Sequence, residues 1–198
     1  MKVSGRRRYR MTTRKVSAAA TADRILDATL ELFWRDPGQE TSLEEVANRA
    51  GVSVQTVIRR FGGKDGLIAA AGKRESERVR AQRDHALPGD PAGAVRVLTE
   101  HYERYGDRVV RMLAEEQRNP QLRKIADRGR ALHREWCARV FAPALTGRSP
   151  SERKRRVAML VAVADVYTWR LLRRDSGLGR RQTERALLEL LEPILERS

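Results

Sequence analysis

The segment Val54–Phe61, VQTVIRRF, gathers an amide at Gln55, a hydroxyl at Thr56 and guanidiniums at Arg59 and Arg60. An amide can pair with adenine and a guanidinium with guanine, while hydroxyls and cations grip phosphates. Val54 can offer apolar contact only, for instance to a thymine methyl. Lys64 follows at what reads as the first turn of a new helix. A helix dipole favours acids there, so a lysine at that place is explained by a phosphate bound at the helix end.

Two short helices must present these groups. Ser42 and Glu45 have the spacing of a capping box, and Leu43, Val46, Ala47 and Ala50 recur as a narrow apolar stripe. Gly51 stands where a left-handed residue ends a helix, and Ser53 can cap the next one. Val57 and Phe61, four apart, give that second helix its buried side. Ala47 is small, as a close crossing of short helices requires. An ordinary helical hairpin with a solvated charged face has much the same pattern. The Gly62-Gly63-Lys64 restart that follows favours the nucleic-acid reading.

Composition agrees. The 198 residues carry a formal net charge of +15, with a pI near 11.1, which points to a polyanion without choosing among DNA, RNA and membrane. Seven of those cations stand in residues 1–17 with no acid among them. Such a run repels itself and is expected to be a disordered arm, in which Arg6, Arg7, Arg8 and Arg10 either follow a backbone or minor groove or remain a solvated tail. A cleaved targeting peptide is a weaker third reading. No apolar run reaches the roughly 18 residues of a membrane span, and the N-terminus lacks the apolar core of a secretory signal. The single Cys137 excludes an internal disulfide and suits a reducing cytoplasm.

Enzyme chemistry finds no support. The chain has no Gly-rich phosphate loop, no G-x-S-x-G and no H-E-x-x-H. His85, His101 and His133 lack metal-ligand spacing, so neither a metal nor a cofactor is expected. Cys137, between Trp136 and Ala138, reads as buried and inert rather than as a redox sensor.

The remaining elements are helices, and the fold class is all-α. A first helix covers Thr21 to Trp34, and another runs from Lys64 to about Ala86, with a charged, solvated half after Gly72. Asp90-Pro91, Asn119-Pro120 and Ser149-Pro150 each place a capping residue before a first-turn proline, the last with Glu152 completing a capping box. They predict helices near 91–105, 107–118, 120–145 and 150–175, with Gly147 and Gly177 as C-terminal caps and a final helix over 180–197. Within 150–175, AMLVAVADVYTW is apolar nearly all round except for Asp165, and the final helix has a wide leucine stripe. Together they suit half of a four-helix interface between two copies of the chain, or a core filled within one copy. The organisation is an arm over 1–17, a helix-turn-helix domain over 18–70, and a larger helical domain over 71–198.

Residues 22 to 71 resemble the DNA-binding domain of the TetR (tetracycline-repressor) family of bacterial transcription regulators. RILDATLELF at Arg24–Phe33, TSLEEVANRAGVS at Thr41–Ser53 and TVIRRFGGK at Thr56–Lys64 follow the family pattern in order and spacing. The chain departs from it at Ile58, Arg59 and Arg60, where aromatic residues or His are frequent, at Val54, and at Pro37-Gly38. The resemblance implies a sequence-specific, cytoplasmic, homodimeric regulator, a ligand-responsive repressor on a palindromic operator of double-stranded DNA. Thr41, Ser42, Thr56, Arg60 and Lys64 would hold phosphates, and Val54, Gln55 and Arg59 would face bases. It also implies an unidentified small-molecule effector in the C-terminal domain, for which His101, Tyr102, Tyr105, Met112, Trp136, Cys137, Tyr167 and Trp169 are the candidate contacts. Dimerisation would use the helices near 150–175 and 180–197. A regulator without ligand control, an activator, and a sequence-indifferent nucleoid or RNA-binding protein working through the arm are the alternatives.

Overall fold

The computed structural model describes residues 4–36, 39 and 41–196, with side chains described from Ser17 onward. Every regular element among the described residues is helical. They are α1 (Ser4–Arg35), α2 (Leu43–Ala50), α3 (Val54–Phe61), α4 (Lys64–Arg83), α5 (Pro91–Glu115), α6 (Pro120–Val140), α7 (Pro150–Val163), α8 (Val166–Arg170) and α9 (Arg180–Glu196). A 3-10 turn at Ala142–Leu145 follows α6, and a π-helical turn at Leu171–Asp175 follows α8. The all-α expectation holds. The chain divides into two compact units, one up to Ser76 and one from Glu77, so the division falls inside α4.

In the first unit Ile25, Ala28 and Leu32 of α1 meet Val46, Ala47 and Ala50 of α2, Val57 of α3 and Leu67 of α4 in one apolar cluster. Polar ties surround it. Arg49 of α2 pairs with Glu31 of α1, and Arg74 of α4 reaches Asp27 of α1 at 2.9 Å. Helix α1 begins at Ser4, where the sequence reading had a helix from Thr21 preceded by an arm without structure. After Gly5 no Gly or Pro interrupts the run until Pro37, so nothing local stops the helix. The side chains of Arg6, Arg7, Arg8 and Arg10 lie outside the described residues, as do Pro37 and Gly38.

The second unit is built on α5, which contacts α6, α8 and α9 while α7 contacts α6 and α9. Its core includes Leu98, Trp136, Val140, Leu145, Leu160, Trp169, Leu187 and Leu191. The three expected caps are present: Asp90 accepts from the Gly93 amide at 2.8 Å, Asn119 from that of Gln121 at 2.9 Å and Ser149 from that of Glu152 at 3.3 Å. Gly147 and Gly177 have the positive φ foreseen for them, 73° and 70°.

Three expectations are corrected. Helices expected at 91–105 and 107–118 are one helix, α5, unbroken at Gly106. That glycine serves packing, because a Cβ there would lie 2.8 and 2.9 Å from carbons of the Trp169 ring. The helix expected over 150–175 is broken. Asp165 leaves helical geometry (φ −78°, ψ 154°) and caps α8 by accepting from the Tyr167 amide at 2.9 Å. A hydrogen-bonding side chain in an apolar stretch thus ends one helix and starts another. Finally, the capping box at Ser149 is only half made. The Glu152 carboxylate instead meets Arg148 and Arg156, each at 3.5 Å. Buried Arg156 also donates to the Ile194 carbonyl at 2.6 Å, just past Pro193 in α9.

Gly106→Ala forces a methyl against the rigid Trp169 ring. It is expected to destabilise the chain by about 1–3 kcal/mol, the usual cost of overpacking a core, read as a lower urea midpoint at unchanged slope. A change within error would mean that Trp169 moves aside freely.

Candidate nucleic-acid interface and sensing core

The α2–α3 turn is set by three local devices. The Ser42 hydroxyl accepts from the Glu45 amide at 3.1 Å while the Glu45 carboxylate accepts from the Ser42 amide at 3.0 Å, a complete capping box. Gly51 takes left-handed backbone, φ 65° and ψ 44°, and the Val52 amide beyond it returns to the Ala47 carbonyl at 3.0 Å. The Ser53 hydroxyl then accepts from the Thr56 amide at 3.3 Å and caps α3.

That turn rolls α3 so that Val57 is wholly enclosed, 0% exposed. Gln55, Ile58 and Arg59 are left on the outside. Residues four apart share a helix face, so the Gln55 amide and Arg59 guanidinium lie side by side. Val54 is half-buried and packs on the core, which leaves part of its side chain exposed. Thr56 is half-buried, with its hydroxyl 2.9 Å from that of Ser53. Arg60 is half-buried too, and its Nε is enclosed with no hydrogen-bond partner. Thr41 and Ser42 are half-buried before α2, and Lys64 opens α4 after Gly62 and Gly63, both at positive φ. The amide and guanidiniums thus flank an apolar anchor on a helix whose own dipole end is capped by a neutral hydroxyl.

In the second unit, the sequence candidates for ligand contact separate. His101, Tyr102, Met112, Trp136, Cys137 and Trp169 are buried, Tyr105 is half-buried, and Tyr167 is 48% exposed. Tyr102 donates to the Ala164 carbonyl at 3.0 Å and its ring centroid lies 5.8 Å from that of Trp169. His101 Nδ1 lies 3.0 Å from Gln82 Oε1, an acceptor, so the imidazole donates. His133 Nδ1 lies 2.8 Å from a guanidinium nitrogen of Arg83. Guanidinium can only donate, so His133 Nδ1 accepts and the ring is neutral. Burial first, then the Arg83 charge, holds both histidines down at about 3. Cys137 is buried as expected, and that burial pushes its thiol up to about 12. An apolar crevice lined by Leu98, Trp136, Phe141, Ala164, Leu187 and Leu191, among others, is too narrow to admit a water molecule.

Arg83 was missed by sequence reasoning. It sits in the half of α4 that reads as a solvated charged face, yet it is 8% exposed. Trp136 both donates to the Arg83 carbonyl at 3.1 Å and stacks on its guanidinium, 5.2 Å from ring centroid to carbon. No pattern within α4 marks this arginine off from its neighbours.

Comparison with known proteins places this geometry. A family model described as "Bacterial regulatory proteins, tetR family" matches residues 25–71. The "HTH-type transcriptional repressor KstR" of Mycolicibacterium smegmatis is 30% identical over 170 residues, covering 78% of each chain. The protein of the same description from Rhodococcus jostii is 28% identical over 168 residues, covering 78% of this chain and 74% of its own. Among solved structures, a transcriptional regulator from Rhodococcus sp. Rha1 superposes with a TM-score of 0.64 at 23% identity, over 88% of this chain and 96% of that one.

The two histidines make stability depend on pH. Each is held near 3 in the folded chain against 6.5 as a free group. The unfolded chain therefore binds more protons between those values. Their contribution is complete above 6.5 and is lost as pH falls toward 3, by on the order of 1 kcal/mol per pH unit for each ring. Urea midpoints should fall between pH 7.5 and 5, and the double variant His101→Gln, His133→Gln should flatten that slope. An unchanged slope in the variant would assign it to other groups.

Proposed function

The chain belongs to the TetR family of bacterial regulatory proteins and is a DNA-binding transcriptional repressor, and we propose that it acts as a homodimer which sets two copies of α3 on the half-sites of a palindromic operator. Regulators of this family bind DNA operators, act as dimers and answer to small-molecule effectors. The observation that carries the reading here is the pairing of exposed Gln55 and Arg59 on α3 across from buried Val57.

In this reading α3 enters the major groove. Gln55 pairs with an adenine and Arg59 with a guanine, while the exposed part of Val54 meets a thymine methyl. Thr41 and Ser42 before α2, Thr56 and Arg60 on α3, and Lys64 at the start of α4 hold phosphates on either side, fixing the register of the helix in the groove. Arg6, Arg7, Arg8 and Arg10 add backbone or minor-groove contacts. Two-fold symmetry demands half-sites about 34–36 Å apart, one turn of duplex. The second copy docks through α7 and α9, on which Met159 (41% exposed) and Leu190 (46% exposed) are exposed apolar side chains. An effector entering the second unit acts through α4, the helix common to both units. Such coupling is reciprocal: operator weakens effector binding by the factor with which effector weakens operator binding. The rival reading, a basic protein indifferent to sequence, draws on the charge of residues 1–17 alone.

Selection of duplex DNA from a random pool should enrich an inverted repeat with half-sites one turn apart. On that site Gln55→Ala and Arg59→Ala should each lose about 1–3 kcal/mol of discrimination at one base pair. Lys64→Ala should weaken all sequences alike and reduce the salt slope by about 1. No enriched motif, with binding that collapses as salt rises, favours the rival. For the dimer, Met159→Glu with Leu190→Glu should give a folded monomer in sedimentation; a dimer that persists would move the interface elsewhere.

A further inference from the structure

Two arginines of the second unit are buried, and they are treated differently. Arg156, 6% exposed, has the Glu152 carboxylate at 3.5 Å and the Ile194 carbonyl at 2.6 Å. Arg83, 8% exposed, has no carboxylate within ion-pair distance among the described residues, and its Nε is enclosed without an acceptor. The neighbouring acid Asp84 accepts from Arg139 at 2.8 Å and Glu135 faces Arg80 at 3.7 Å, while Asp165, whose charge is felt by the same Tyr102 and Cys137 that feel Arg83, makes no ion pair with it and caps α8. The contacts that Arg83 does make, a neutral imidazole, an indole face and the neutral Tyr102 hydroxyl, hold a guanidinium in position without neutralising it.

A buried charge with no counter-ion is costly to a folded chain, which would be served as well by an apolar side chain of the same volume. It is explained when the counter-ion arrives from outside. Trp136 connects the cation to apolar space, since its ring covers the guanidinium and also lines the closed crevice with Leu98, Phe141 and Leu187.

We propose that the enclosed Nε edge of Arg83 is the headgroup site of the effector, and that the effector is an apolar carboxylic acid whose hydrocarbon part follows Trp136 into that crevice. This rests on the reading of the second unit as the sensing domain. One carboxylate matches one guanidinium, and the fork of Nε and a terminal nitrogen fits its two oxygens. A phosphate dianion would leave a negative charge unmatched, because both nearby histidines are neutral. An alcohol or amine gives the guanidinium no charge partner. The crevice is too narrow for water until helices part, so filling it requires the conformational work that an effector performs on a repressor.

The test uses the full chain, without DNA, and the straight-chain series from butanoate to decanoate with the matched alcohols, amines and alkyl phosphates. Carboxylates should raise the Tm with an optimum length, and the other three classes should not. Arg83→Met should keep its helical circular dichroism and lose carboxylate affinity by at least about thirtyfold, as when one member of a buried charge pair is removed. Arg83→Lys, which retains charge without the fork, should lose less. No stabilisation by any chain length, equal stabilisation by alcohols or phosphates, or retained affinity in Arg83→Met overturns the proposal. Should Arg83→Met not fold, Arg83→Lys decides, since affinity independent of the fork and unaffected by alcohol competition also overturns it. Operator release is measured separately on the selected duplex. Carboxylate binding that leaves operator affinity unchanged keeps the site and removes its sensing role, whereas failure to enrich an operator removes the DNA reading and leaves the Tm result standing.

Discussion

At Gly51 the chain reverses through left-handed backbone, and the orientation of α3 follows from that single residue. A side chain there would cost roughly 1–2 kcal/mol in the same conformation, so glycine keeps the turn tight at little expense. With the turn made, Ser42 and Ser53 cap the two helices it joins, each cap contributing about 1 kcal/mol. The enclosed Val57 then fixes the rotation of α3 about its axis. The outward face of α3 is thus decided by local backbone and packing alone. The polar face is whatever remains once the apolar anchor has been buried.

The second unit is organised by the opposite problem. Its core is closed and largely apolar, yet it encloses a guanidinium, two neutral imidazoles and a thiol. Burial, and after it the positive charge of Arg83, holds those imidazoles well below their ordinary range. Arg156 shows how the same residue type looks when structure alone is served: a carboxylate on one side and a carbonyl on the other.

The head was legible in the sequence because its determinants are local. The S-x-x-E spacing at Ser42, the glycine at 51 and the Val57–Phe61 pair each act within a few residues, and the chain has the same devices in space as in sequence. The proline-marked starts at Pro91, Pro120 and Pro150 were legible for the same reason. Gly106 was not. A glycine in mid-helix reads as a break until Trp169, 63 positions onward (169 − 106), is seen against it. Asp165 was noticed as the odd residue in an apolar helix, but whether it would break the helix or be buried within it depends on how α8 packs. The burial of Arg83 depends on Trp136 and His133 of another helix. Nothing within α4 announces it. Of the candidate ligand contacts in the second unit, residue type foretold which would be apolar and large, and only packing separated exposed Tyr167 from the rest.

Pro193 interrupts the hydrogen-bond ladder of α9 from within, and the Ile194 carbonyl beside it is taken up by Arg156 of α7. The end of α9 is therefore completed by a residue 38 positions earlier in the chain. An isolated α9 peptide lacks that donor, so its final turn has no reason to form before α7 has arrived. The surface that α7 and α9 form together therefore depends on both helices being in place.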